Sequence, residues 1–252
     1  MKRILTFILT LIAVLSAAAT ALPSSESLNY RVMYKWGLIN KQAGSACLSI
    51  KTSGSQYKLA LTARSAPWAD KFYCLRDTLT GIVNRSGYKP VRYENHSHEG
   101  GDYKHAIVTY QHNGNNVTAK AVNTTKKKKG KKPTTQNQTF TATGAAMDML
   151  SVFYYMRTID YSQMLVGVTQ VVTIFSGKQK ETLTIKYNGV QSVKIEGQQR
   201  NCYHIRFTFT SKGGKKTSDD MEAWISTDSR RIPLKMEGKL PVGKVQCYYT
   251  GG

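Results

Sequence analysis

The chain has 252 residues, Lys+Arg 36 against Asp+Glu 15, a formal net charge of +21, and 40% hydrophobic residues. That apolar share supports a packed core and excludes a disordered polyelectrolyte, while the charge excess favours anionic partners, against the alternative that excess lysine keeps the protein soluble.

The first segment reads as a secretory leader. Lys2 and Arg3 precede an apolar run over 4–15, and Ala19-Thr20-Ala21 supplies a small-residue cleavage site. Residues 1–21 are therefore expected to be a signal peptide cut after Ala21. The apolar run is too short to span a bilayer as a mature helix, and no later run is longer, so no transmembrane segment is expected in the mature chain. No cysteine follows the cleavage site to carry a lipid. Without Lys2 and Arg3 the formal charge is 21 − 2 = +19. For an exported protein the accessible anions are lipid headgroups, glycans and other anionic envelope components, not nucleic acid.

From Asn29 onward short alternating segments are separated by turn residues, the pattern of half-buried strands. Segments 46–50 and 57–63 flank Ser53-Gly54. A two-residue turn there places Ile50 opposite Tyr57, Leu48 opposite Leu59 and Ala46 opposite Leu61, with Cys47 on the other side. Gly100-Gly101 predicts a second tight hairpin pairing Glu99 with Asp102, Tyr93 with Val108 and Asn95 with Ala106. The polar side of that hairpin then carries Glu94, His96, His98, Tyr103 and His105, with His96 across from His105.

Residues 123–138 are low in complexity and hold Lys126, Lys127, Lys128, Lys129, Lys131 and Lys132. Like charges at this density predict a mobile loop. Beyond it, 145–158 predicts the one helix, with Met149, Val152, Phe153 and Met156 as an apolar stripe, Asp148 in the first turn and Arg157 in the last. Strand patterns resume over 168–175, 181–187, 190–196, 202–210, 221–226, 232–238 and 244–249. The expected fold is mainly β: residues 22–252 form a single β-barrel-like domain, a large antiparallel meander making an open or nearly closed barrel around one α-helix.

Four candidate sites follow. The concave side under Met149, Val152, Phe153 and Met156, with Trp224, is a place for an apolar or amphipathic ligand, against the alternative of a filled core. The lysine tract suits polyanions, against a solvated loop. Glu94, His96, His98 and His105 have the donor types of a zinc site, against solvated side chains on a polar sheet face. Cys47, Cys74, Cys202 and Cys247 allow three disulfide pairings, of which Cys47 with Cys74 is the candidate, against free buried thiols. Trp68 and Arg157 read as scaffold. There is no Gly-x-Ser-x-Gly elbow, phosphate-binding loop or His-Glu-x-x-His helix, so a non-catalytic protein without a cofactor is expected.

Three motifs in matching order resemble one exported bacterial family. They are Tyr30-Arg31-Val32-Met33-Tyr34-Lys35-Trp36-Gly37 with Ala43-Gly44, then Asp148-Met149-Leu150-Ser151-Val152-Phe153-Tyr154-Tyr155-Met156-Arg157, and finally Trp224-Ile225-Ser226-Thr227-Asp228-Ser229-Arg230-Arg231-Ile232-Pro233-Leu234. Together they are similar to domain of unknown function 3108, over nearly the whole mature chain. The resemblance implies a fold and an exported location but no reaction. The last motif is also similar to the closing hairpin of periplasmic lipoprotein carriers, which implies an unclosed barrel able to hold acyl chains. The lysine tract departs from the family's usual form.

Overall fold

The computed structural model describes residues 21–252 apart from 129, 131, 212–214 and 217–219. The leader expected over 1–21 thus lies outside the described residues except for Ala21.

The strands follow one another with little between them. They are β1 Ser25–Trp36, β2 Ile39–Ser53, β3 Gln56–Ser65, β4 Leu75–Asn84, β5 Lys89–Glu99, β6 Asp102–Asn113, β7 Asn116–Lys126 and β8 Thr134–Thr143. The second half holds β9 Ala146–Met147, β10 Thr169–Phe175, β11 Lys180–Ile195, β12 Gln198–Thr210, β13 Met221–Ser226, β14 Pro233–Lys239 and β15 Lys244–Gly251. Helix α1 is Pro67–Asp70 and α2 is Ser151–Thr158. All the strands belong to one 15-stranded sheet in which β1 pairs with β15, so each half is a meander running outward from that pair to β8 and to β9. The sheet curls into a nearly closed barrel. At the seam the β10–β11 turn meets β7 and β8: Asn123 Nδ2 donates to Gly177 O at 2.7 Å and Lys180 Nζ to Thr141 O at 2.8 Å. Phe140 stacks on Phe175 beneath them.

Alternation places one side of each strand inside. Tyr93, Val108, Leu183, Ile185, Ile205 and Phe207 are among the buried core residues, with α2 residues Val152, Tyr154 and Met156 in the same cluster. The hairpin at Gly100-Gly101 has the expected register, including Tyr93 with Val108 and His96 with His105. Both glycines have positive φ, at +58° and +95°, as the tight turn requires.

Four expectations need correction. The β2–β3 turn lies at Gly54-Ser55, not Ser53-Gly54, so Ile50 faces Leu59 and Leu48 faces Leu61. The displacement is even, so the apolar side is kept. Segments 181–187 and 190–196 form one strand, β11, with a register irregularity between Tyr187 and Val190 and a positive φ of +90° at Gly189. The lysine-rich loop is shorter than 123–138, because its polar flanks, rich in Thr, Asn and Gln, pair as the ends of β7 and β8, including Asn123 with Gln136 and Thr125 with Thr134. The helix begins at Ser151, not 145, since Ala146 and Met147 pair with β10.

Asp148 consequently precedes the helix and caps it. Its Oδ1 accepts from the amides of Leu150 and Ser151 at 2.9 and 2.7 Å, while Ser151 Oγ accepts from the Asp148 amide at 3.0 Å. Complete burial pushes its carboxyl up to about 6 even though these hydrogen bonds favour the charged form.

Candidate functional site

Consecutive antiparallel strands send alternate turns to opposite rims of the barrel. One rim is plugged by α2. Tyr88 Oη, in the β4–β5 turn, donates to Ser151 O at 3.0 Å, and Tyr161 Oη donates to Met156 O at 2.7 Å. Arg157, expected as scaffold in the last helical turn, is fully buried. Its guanidinium donates to the carbonyls of Arg230 and Arg231 at 2.9 and 3.2 Å and meets Glu26 Oε2 at 2.7 Å. Arg230 engages the other oxygen of Glu26 at 3.1 Å. The helix is thereby fastened both to the start of β1 and to the β13–β14 turn.

The helix stripe forms part of the barrel filling. Val152 and Met156 are buried in the core, and Met149 and Phe153 pack against it half-buried. Trp224 is not brought to that stripe. Its neighbours Ala223 and Ile225 face the core, so alternation turns Trp224 to the opposite side of β13. There it clusters with Ile195 and Cys202, stacks on His204 at 4.9 Å, and donates to Gln191 Oε1 at 3.1 Å.

The larger clefts lie elsewhere. One of about 890 Å³ is bordered by Arg31, Glu196, Arg200, Asp228, Arg230 and Tyr249, and another of about 510 Å³ by Tyr30, Gln42, Cys47, Thr62 and Arg64. Of their arginines, Arg31 pairs with Glu196 and Arg230 with Glu26.

The opposite rim gathers the β1–β2, β3–β4, β5–β6 and β7–β8 turns, together with β10–β11, β12–β13 and β14–β15. Here the molecule exposes large apolar side chains. Trp36, Leu38 and Ile39 at the β1–β2 turn are 55%, 105% and 43% exposed, and Leu240 and Val242 at the β14–β15 turn are 42% and 52% exposed. The two turns are adjacent, joined by the hydrogen bond from Tyr34 Oη to Val242 O at 3.1 Å and by the pairing of Lys35 with Lys244. Phe72 and Tyr73, after α1, are also exposed. Trp68 anchors that segment by donating to Gln42 O at 2.6 Å, with Lys41 Nζ over its ring at 4.8 Å.

Lysines surround these tips: Lys35, Lys41, Lys239 and Lys244 flank the two apolar turns. The tract expected to bind polyanions stands on the same rim, at the β7–β8 turn. Lys126 ends β7, Lys127 pairs with Asp102 at 2.6 Å, and the Lys128 amide donates to Asp102 Oδ1 at 3.1 Å. Lys132 is exposed, while Lys129 and Lys131 lie outside the described residues. Sequence periodicity could not find the apolar tips, because they sit in turns and at the strand ends beside them, where the strand period fades.

On the outer face of β5 and β6, Glu94, His96 and His105 converge. His96 Nε2 and His105 Nε2 lie 3.0 and 2.8 Å from the same oxygen, Glu94 Oε1. His98 does not join them, since its ring packs on Tyr103 at 4.7 Å. Hydrogen bonds from His105 and Arg92 hold the Glu94 carboxyl down to about 2.

The candidate disulfide is corrected: Cys47, Cys74, Cys202 and Cys247 are all free. Cys47 stands opposite Thr62, whereas Cys74 precedes β4, where Arg76 stands opposite Arg64. The two cysteines are thus offset by about four residues, roughly 13 Å along the strands at about 3.3 Å per residue. A disulfide tolerates no more than about 7 Å between Cα atoms.

No curated protein matches the sequence. Among solved structures, the chain is similar to a beta-barrel-like protein of domain of unknown function DUF1849 from Brucella abortus, with a TM-score of 0.63 and 10% sequence identity, covering 92% of this chain and 98% of that one. At that identity the likeness concerns the fold alone. The profile described as "Protein of unknown function (DUF3108)" matches residues 29–250. The chain belongs to that family.

Proposed function

We propose that this protein is a non-catalytic, exported envelope protein that docks on an anionic lipid surface through its lysine-bearing rim. The observation that carries the reading is the coincidence of exposed apolar turns and lysines at one end of the barrel. Trp36, Leu38, Ile39, Leu240 and Val242 are exposed in two turns flanked in sequence by Lys35, Lys41, Lys239 and Lys244, the last of which pairs with Glu237 at 2.6 Å. Apolar tips alone suit any greasy partner, and lysines alone suit any polyanion. Their combination matches a bilayer surface, where apolar side chains enter the acyl boundary and ammonium groups meet headgroup phosphates. Near an anionic leaflet each lysine adds about 1 kcal/mol, and its reach is limited to about a Debye length. Docking at the surface is favoured over spanning, because exposed Lys58, Arg64, Arg76 and Arg206 punctuate the barrel wall where a spanning barrel needs an apolar belt. No helix among the described residues is long and apolar enough to cross a membrane. The leader expected over 1–21 supports the exported setting.

Co-sedimentation with phosphatidylcholine vesicles, with and without phosphatidylglycerol, tests this. The mature protein should bind only the anionic vesicles, less so as salt rises, and Leu38→Asp with Val242→Asp should abolish binding. Equal binding to both vesicles would reject the proposal. Binding retained by the doubly substituted protein and displaced by a soluble polysulfate would show polyanion adhesion without lipid insertion, and would also reject it.

A further inference from the structure

We propose that Glu94, His96 and His105 form a surface site for a borderline divalent transition metal, with zinc as the reference ion. This site is separate from the lysine-rim reading and does not depend on it.

The backbone dictates the grouping. Glu94 and His96 are two residues apart on β5 and so share its outer face, and the register set by the Gly100-Gly101 turn puts His105 directly opposite His96. One ligand atom from each of the three residues lies within 4.8 Å of the others. The imidazoles of His96 and His105 stack with centroids 4.1 Å apart and planes at 18°, so both present their Nε2 edges to Glu94 Oε1. An ion bound at about 2.0–2.1 Å from each donor requires the two stacked imidazoles to rotate apart so that their Nε2 lone pairs converge on it.

The surrounding contacts suit ligation as well. Tyr103 Oη lies 3.1 Å from His96 Nδ1 and can accept a proton-mediated hydrogen bond from it, which leaves the Nε2 lone pair for a metal. Arg92 Nη2 holds Glu94 Oε2 at 2.8 Å, leaving Oε1 for the ion. The side chains of His96, His105 and Glu94 are 43%, 26% and 22% exposed, so an ion reaches the site without unfolding the sheet. Two imidazoles and one carboxylate leave coordination positions for water and select zinc, copper or nickel over magnesium or calcium. The same three side chains also satisfy one another as a hydrogen-bonded cluster, so the experiment must separate those states.

Calorimetric titration of tag-free mature protein with zinc chloride at neutral pH makes the separation. One equivalent should bind. His96→Ala and His105→Ala should each weaken binding by about tenfold or more, while His98→Ala and His112→Ala should leave it unchanged. Cobalt substitution supplies a second readout: visible absorption from imidazole-ligated cobalt should appear with the parent protein and vanish in His105→Ala. Circular dichroism would confirm that the variants remain folded. The absence of stoichiometric zinc binding, or zinc binding that survives both His96→Ala and His105→Ala, would overturn the proposal.

Discussion

Replacing Arg157 with Met tests how α2 is fastened into the barrel. Arg157 is completely buried and the Glu26 side chain is only 5% exposed, so this ion pair has little water to replace a lost partner. The substitution removes two charge-assisted hydrogen bonds, to the carbonyls of Arg230 and Arg231. It also leaves Glu26 with a single partner, Arg230, whose side chain is 51% exposed. Breaking a buried pair on one side costs about 3–5 kcal/mol. For a domain of this size each kcal/mol lowers the melting temperature by about 2–4 °C, so a fall of roughly 6–20 °C is expected. Urea unfolding followed by tryptophan fluorescence gives the free energy, and circular dichroism gives the melting temperature. The double variant Arg157→Met with Glu26→Gln should recover part of the loss, because it removes the stranded carboxylate. A loss below about 1 kcal/mol, the range of exposed pairs, would refute the fastening argument.

Three further predictions concern the helix, the acid limb and the lysine rim. Asp148 has a folded-state value of about 6, above the ordinary 3.8, so its folded form binds the extra proton and its contribution to stability is lost as pH rises between those values. Asp148→Asn keeps a capping acceptor, and should gain about 3 kcal/mol on the parent between pH 4 and pH 8; parallel urea midpoints for the two proteins across that range would contradict this. Glu94 and Glu237 are both held down to about 2, so the stability they supply is present above the ordinary carboxylate range and fades as pH falls toward 2. Glu237→Gln should therefore flatten the acid limb in a pH series of melting curves. Changing Lys126, Lys127, Lys128 and Lys132 to Ser should reduce both vesicle affinity and its salt dependence without altering the melting temperature by more than about 2 °C, since exposed charges contribute little to folding.

Much of the fold was legible because alternation with period two survives from β1 to β15, and because glycine pairs mark turns. The Gly100-Gly101 hairpin illustrates this: one turn fixed the register that brings His96 opposite His105. The β2–β3 register was read two residues off, because Ser53-Gly54 and Gly54-Ser55 are both plausible two-residue turns and an even displacement leaves the hydrophobic pattern unchanged. The helix start differs from the sequence pattern for another reason. Ala146 and Met147 have apolar spacing compatible with either state, and their pairing with β10 is a tertiary contact that local periodicity does not contain. The burial of Arg157 is not legible locally, because it depends on Glu26 and on carbonyls more than seventy residues away. The apolar rim was invisible for the same topological reason, since Trp36–Ile39 and Leu240–Val242 are distant in sequence and meet only when β1 pairs with β15.

The most direct measurement is tryptophan quenching by brominated phospholipids, using mature protein carrying Trp68→Phe so that Trp36 is the exposed reporter and Trp224 remains buried. Anionic vesicles containing brominated acyl chains should quench Trp36, and vesicles lacking anionic lipid should not. Protein that sediments with anionic vesicles while its Trp36 emission is untouched by bromine would contradict insertion of the rim.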